Sequence, residues 1–118
     1  MSVRRTPKLI HQGRVFRLEQ ERVTLPAGQT VTIDVVRHRG SVVLVPQPAA
    51  NRVILIRQFR PVLGRWIWEL PAGTLEENEN PRAASIRECQ EEIGLRPRTI
   101  DRLGEYFPTP GFCDERMI

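Results

Sequence analysis

The stretch from Gly73 to Leu95, GTLEENENPRAASIRECQEEIGL, decides how this chain is read. Its second half carries the punctuation of a helix. Asn80 stands at an N-cap position and Pro81 suits the first helical residue. Ala83, Ile86, Cys89 and Ile93 recur near the helical period and are expected to form the buried stripe. Gly94 is placed to end the helix in a left-handed turn, with Leu95 closing over it, and Pro97 prevents resumption. Three carboxylates, Glu88, Glu91 and Glu92, stand at i, i+3 and i+4, so they crowd one helix face. Like charges at that spacing repel and cost helix stability. A hard divalent cation relieves the repulsion, because Mg²⁺ and Mn²⁺ take carboxylate, water and phosphate oxygens. Arg87 is the i−4 neighbour of Glu91 and is placed to hold that carboxylate. Glu79 lies at the mouth of the helix, near its positive end, where it can position Arg87. Pro71-Ala72-Gly73 bends the backbone ahead of the helix, and Gly73 permits a close approach that exposes a carbonyl.

Outward from this helix the chain reads as β structure. Residues 14–25 alternate apolar positions imperfectly before the turn Pro26-Ala27-Gly28. Thr30 to His38 alternates better, with Val31, Ile33 and Val35 on one face. Ser41 to Val45 is a short strand stopped by Pro46 and Pro48. Arg52 to Phe59 contains Val53-Ile54-Leu55-Ile56, apolar on both faces, the pattern of a central, doubly covered strand. Trp66 to Leu70 is a further strand, ended by Pro71, and Arg98 to Phe107 another, with Phe112 to Ile118 beginning one more. The expected class is α+β, a mixed sheet with αβα sandwich character preceded by an antiparallel N-terminal β segment. The expected division is an N-terminal segment over residues 1–38 and a core over residues 39–118.

Composition bounds the function classes. At 118 residues the chain is one small domain in size. Forty per cent hydrophobic and 27% charged residues are the mix of an ordinary soluble protein. The formal charge of +4 suits a polyanionic ligand as well as a solvated arginine-rich surface. No Lys/Arg block or run of interleaved aromatics is present, so no nucleic-acid partner is expected. The longest apolar runs, Val42 to Val45 and Val53 to Ile56, are too short to span a bilayer, and no membrane partner is expected. Cys89 and Cys113 form no C-x-x-C pair and no metal spacing with His11 or His38, which points to free thiols in a reducing cytoplasm.

Runs such as Glu-x-x-Glu-Glu are by themselves usually solvated helix faces. The full spacing is more specific: seven fixed positions, each matched at roughly 7% by composition, recur by chance on the order of once in 10⁸ starts. The segment resembles the Nudix box, G-x5-E-x7-R-E-U-x-E-E-x-G-U, where U is a bulky aliphatic residue. Gly73, Glu79, Arg87, Glu88, Glu91, Glu92 and Gly94 fill its fixed positions, and Leu95 its last U. Cys89 replaces the usual aliphatic at the first U, a change that touches packing more than chemistry. The resemblance implies a loop-helix-loop that binds Mg²⁺ or Mn²⁺ and hydrolyses a nucleoside diphosphate linked to another group. It implies Glu88, Glu91 and Glu92 as metal ligands, the carbonyl of Ala72 as an extra ligand, and Arg87 and Glu79 as supports.

Features outside the box resemble the ADP-ribose pyrophosphatase group of that family. Arg57-Gln58-Phe59-Arg60 is similar to its R-Q-[FY]-R segment, and Trp68-Glu69-Leu70-Pro71-Ala72-Gly73 to its W-E-L-P-A-G entry to the box. Pro110 falls sixteen residues after Gly94, inside Thr109-Pro110-Gly111-Phe112-Cys113-Asp114-Glu115, which is similar to S-P-G-x-x-x-E with Thr109 in place of Ser. The resemblance implies substrate contacts from Arg60, Glu69, Pro110 and Glu115. Arg60 carries a planar fork of donors for a phosphate or ribose, and Glu69 suits a sugar hydroxyl. A structural ion pair is the plainer reading of Arg60 and Glu69. In that group an N-terminal antiparallel segment exchanges with a second subunit, so residues 8–36 are expected to support a homodimer, with Trp66 or Trp68 at the interface or in the core.

The expected activity is hydrolysis of ADP-ribose or a related nucleoside diphosphate sugar to AMP and a sugar phosphate. The rivals are GDP-mannose or another such sugar, and a non-catalytic module that binds ADP-ribose. The resemblance puts the general base on a loop downstream of the Pro110 segment, which leads to the expectation that this chain lacks the usual C-terminal part of the family; Glu91, Glu92 and Glu115 are the substitutes within it.

Overall fold

A computed structural model describes residues 4–118. The chain divides into two compact units: Met1–Gly40 with Tyr106–Arg116, and Ser41–Glu105 with Met117–Ile118.

In the first unit three strands, β1 (Arg4–Gln12), β2 (Phe16–Thr24) and β3 (Thr30–His38), form an antiparallel meander in that order. The turn between β2 and β3 closes with the Gly28 amide donating to the Leu25 carbonyl at 2.9 Å, and Gly28 takes φ +92°, a region open to glycine without steric cost. The register sets Glu19 opposite Val35 and Val23 opposite Val31. Opposed residues share a face, so Val23, Val35, Glu19 and Glu21 lie together on the buried side. The alternation of Val31, Ile33 and Val35 holds, although burial deepens along it: Val31 is exposed, Ile33 half-buried and Val35 buried. Two buried carboxylates on an apolar face need partners. Glu21 accepts from Arg5 at 2.8 Å and from Arg37, while Glu19 accepts from Arg17 at 3.1 Å and Arg37 at 3.2 Å. Arg37 also reaches Asp114 at 3.1 Å. That carboxylate takes the His38 amide at 2.8 Å, and Val36 pairs with Cys113, so the segment Tyr106–Arg116 is stitched to β3.

In the second unit β4 (Ser41–Val43) pairs antiparallel with β7 (Ala72–Thr74), and Ser41 also bridges to Met117 in parallel. Helix α1 (Pro81–Ile93) packs on both strands through Val42, Leu75 and Ala84, the buried cluster of this unit. The helix ends follow the sequence. Asn80 Oδ1 accepts the Ala83 amide at 2.8 Å, Pro81 opens the helix, and Gly94 closes it at φ +69° with its amide on the Gln90 carbonyl. The buried stripe differs from the expected one. Ala84, Glu88 and Cys89 face inward, Ile86 and Ile93 are half-buried, and Ala83 is exposed. The helix is turned so that a carboxylate, not an isoleucine, meets β7.

Strands β5 (Ile56–Arg60) and β6 (Arg65–Glu69) form a two-stranded ribbon closed by a turn at Arg60–Gly64. The expected central strand over residues 52–59 is therefore corrected. Pairing begins only at Ile56, β5 has β6 alone as a partner, and Val53 and Leu55 are exposed. No strand forms over residues 98–107, where only Tyr106 makes an isolated bridge, and residues 112–118 contribute isolated bridges in place of a strand. No helix among the described residues is long and apolar enough to cross a membrane.

Candidate active site

Gly73 sits on β7 opposite Val42, directly against the helix. A Cβ built there would lie 1.9 Å from the Glu88 carboxyl carbon. Only glycine leaves room for Glu88 to turn under the strand, and the reason is close approach rather than backbone angle. Glu88 itself is buried.

Arg87 is the hub of the second unit. Its Nε and Nη2 donate to the two Glu79 oxygens at 2.8 Å each, a bidentate pair. Its Nη1 donates to Glu88 at 2.6 Å and to Glu91 at 3.2 Å, and Nη2 reaches the Thr74 carbonyl at 3.3 Å. Glu79 also accepts the Glu76 amide at 3.1 Å. The guanidinium and then that amide hold the Glu79 carboxyl down at about 2, and Glu79 in turn raises Arg87 above its ordinary value. Glu88 behaves oppositely. Burial pushes its carboxyl up, Arg87 opposes this, and the like charges of Glu91 and Glu92 add to the rise. The expected support of Arg87 by Glu79, and of Glu91 by Arg87, is thus present as direct contacts.

Arg60 and Glu69 form a second bidentate pair on one face of the ribbon, with Nε and Nη2 donating at 2.7 Å each. Arg60 is raised first by the Glu69 bond, against its own desolvation, and it also feels the charge of Glu92. The ribbon and the exposed end of α1 therefore share one electrostatic neighbourhood. Ala72 lies on β7 beside Gly73 and pairs with Val43. Pro110 and Glu115 belong to the first unit. Pro110 lies in a turn whose Thr109 carbonyl accepts the Cys113 amide at 2.9 Å, and Glu115 places a carboxylate oxygen 3.8 Å from His38 Nδ1.

Among the described residues, no three acidic, His or Cys side chains converge as a ready metal cage. Glu88 turns inward to Arg87, whereas Glu91 and Glu92 stand exposed. The donor set nonetheless fits a hard cation. Three carboxylates sit on one helix, one buried and pushed up by the charge of the other two, and a divalent cation would offset that repulsion. Sequence reading missed the Thr74 carbonyl, which no side-chain pattern encodes. It also missed the Arg37 cluster, whose partners lie 16 to 77 residues away in the chain. The one available signal was Glu19 and Glu21 at positions of β2 that share a face with Val23.

The comparisons with known proteins bear on this geometry. Residues 36–118 match the family model described as NUDIX domain. The chain is 39% identical over 106 residues to the methanol dehydrogenase activator of Bacillus methanolicus, covering 90% of this chain and 57% of that protein. It is 38% identical over 109 residues to the ADP-ribose pyrophosphatase of Mycobacterium tuberculosis, covering 92% and 53%. It is 36% identical over 118 residues to the ADP-sugar pyrophosphatase of Mus musculus, covering 91% and 54%. The chain thus spans a little over half the length of these curated relatives. The solved structure of an ADP compounds hydrolase superposes with a TM-score of 0.80 at 19% identity, over 99% of this chain and 64% of that one, which shows the shared fold.

Proposed function

Because the chain belongs to the NUDIX domain family, we propose that it carries the catalytic helix of a metal-dependent hydrolase. The bond it cuts is the diphosphate of ADP-ribose or a related nucleoside diphosphate sugar, giving AMP and a sugar phosphate. The observation that carries the reading is the Gly73, Glu79, Arg87 and Glu88 arrangement. A glycine is needed for Glu88 to fit, and an arginine held by Glu79 steadies that same carboxylate. Relatives named for ADP-ribose and ADP-sugar pyrophosphatase activity support the substrate class.

Glu88, Glu91 and Glu92, with the Ala72 carbonyl, would hold Mg²⁺ or Mn²⁺. When bound, such an ion neutralises phosphate charge and makes water a better nucleophile at neutral pH. The chain's own residues do the rest. Arg87 fixes the azimuth of Glu88 and Glu91, and Glu79 fixes Arg87, so the carboxylates keep their spacing as substrate arrives. Arg60 presents a guanidinium to a phosphate or ribose while Glu69 holds its plane. Pro110 and Glu115 are assigned to the substrate on resemblance, as are a homodimer through the N-terminal strands and the division at residue 38. A cytoplasmic setting suits the two free thiols.

The test is product release from ADP-ribose, GDP-mannose, NADH and a deoxynucleoside triphosphate, with Mg²⁺ and then with chelator. AMP from ADP-ribose that disappears with chelator is the expected result. Turnover unaffected by chelator, or confined to the triphosphate, would overturn the reading. Tight ADP-ribose binding without turnover would mark a binding module instead.

A further inference from the structure

The β5–β6 ribbon has two unlike faces. One carries the Arg60–Glu69 pair together with Gln58 and Ile67. The other is a block of four side chains, with Arg57 opposite Trp68 and Phe59 opposite Trp66. Phe59, Trp66 and Trp68 are 44%, 56% and 66% exposed. Phe59 and Trp66 meet edge to face with centroids 5.7 Å apart, and the Arg57 guanidinium lies 5.3 Å from the Trp66 ring centroid. Large aromatic groups held in water in a contiguous block mark a binding face.

Charge selects the occupant. The face carries no carboxylate, since Glu69 opposes Ile56 on the other side. Among the described residues, Arg57 and the neighbouring Arg65 enter no ion pair. A second copy packed on this face about a two-fold axis would bring like charges together. Single-stranded nucleic acid supplies both things the face lacks: planar rings to stack on tryptophan, and phosphates for the guanidinium. The formal charge of +4 attracts the same ligand at long range. We propose that the Arg57, Phe59, Trp66 and Trp68 face binds single-stranded nucleic acid, with bases stacked on Trp66 and Trp68 and Arg57 on the backbone. The absence of interleaved aromatics along the sequence, from which no nucleic-acid partner was expected, gives way here to the register. Pairing of two strands assembles a block that neither strand carries alone. None of the four residues belongs to the Arg87 hub or to the carboxylate set, so the inference stands apart from the hydrolytic reading.

Trp66 and Trp68 are the two tryptophans of the chain, so its tryptophan emission reports this face alone. Titration with an oligouridylate is expected to quench that emission, with affinity falling as salt rises, by a log–log slope of about −0.7 per phosphate contact. By anisotropy of a labelled oligouridylate, Trp68→Ala should weaken binding about tenfold, the loss of one stacked base, while Trp68→Phe keeps most of it. Arg57→Gln should flatten the salt dependence by about one contact. Because Trp68 is largely exposed, its replacement removes no core, and Arg57→Gln provides a second variant that leaves the aromatics in place. Unchanged emission would overturn the proposal. So would equal binding by Trp68→Ala, which would mean charge alone, or full displacement by inorganic polyphosphate, which has charge and no rings. A concentration-dependent dimer that shields the tryptophans and ignores the oligonucleotide would assign the face to a second copy and would equally overturn it.

Discussion

Arg37 in the first unit and Arg87 in the second each gather several carboxylates, with opposite balances. Around Arg37, the guanidinia of Arg5, Arg17 and Arg37 meet the carboxylates of Glu19, Glu21 and Asp114, three against three. The cluster is neutral and its two glutamates are buried on a sheet face. Around Arg87, one guanidinium serves Glu79, Glu88 and Glu91, with Glu76 at 3.8 Å and Glu92 beyond. That cluster is left with surplus negative charge on an exposed helix face. A balanced cluster closes a fold, whereas a surplus that the fold does not neutralise asks for a cation from outside. The contrast distinguishes structural from functional use of the same residue types.

The largest expected effect falls on the balanced cluster. Arg37→Met leaves Glu19 and Glu21 buried without their shared partner and should cost about 3–5 kcal/mol, read by chemical denaturation. If it costs less than a surface substitution, the first cluster is not structural and the comparison fails. Next comes Gly73→Ala. The added methyl must displace the Glu88 carboxylate, so a stability loss of about 1–3 kcal/mol is expected with a disproportionate loss of turnover. A variant as active as the parent would mean that Glu88 need not lie under β7. Glu79→Gln keeps the shape but removes the charge that fixes Arg87, and should lower turnover by roughly 10–100-fold with little loss of stability, since Glu79 acts through another residue. The smallest structural effect is Asn80→Ala, at about 1 kcal/mol for the lost cap.

Acid should sharpen the comparison further. Burial alone would raise the Glu21 carboxyl, but its bonds to Arg37 and Arg5 outweigh this and hold it below its ordinary value of 4.5. A depressed carboxylate contributes stability that is present above the unfolded value and lost as pH falls through the folded one. Hydrogen exchange on β2 and β3 should therefore quicken as pH drops below 4.5, after correction for the intrinsic rate. Glu79, held at about 2 by Arg87 and the Glu76 amide, should keep its contact through most of that descent and release it last. Loss of both regions at one pH would show that the two clusters are not independent.

Much of the helix was legible in advance because its signals are local. Asn80, Pro81 and Gly94 fixed both ends within the chain itself, and Glu79 and Arg87 lie close enough in sequence for spacing to pair them. What failed was non-local. The inward turn of Glu88 breaks the apolar period, because Gly73 on another strand makes room for a carboxylate that periodicity assigns to the surface. Val53 to Leu55 read as a covered strand on hydrophobicity, but a strand also needs neighbours, and β5 finds only β6. Strand β1 contains Leu9 and Ile10 among basic and polar residues, with no alternation to announce it. Its pairing to β2 supplies the order.

The most direct test of the surplus-charge account is Mn²⁺ binding by calorimetry, on the parent chain and on Glu92→Gln. Glu92 makes no contact that fixes the fold and adds charge to Glu88 and Arg60. The account predicts at least a tenfold loss of Mn²⁺ affinity in Glu92→Gln, with an unchanged unfolding midpoint without metal and turnover abolished. Mn²⁺ affinity equal to the parent's, with turnover near normal, would contradict it.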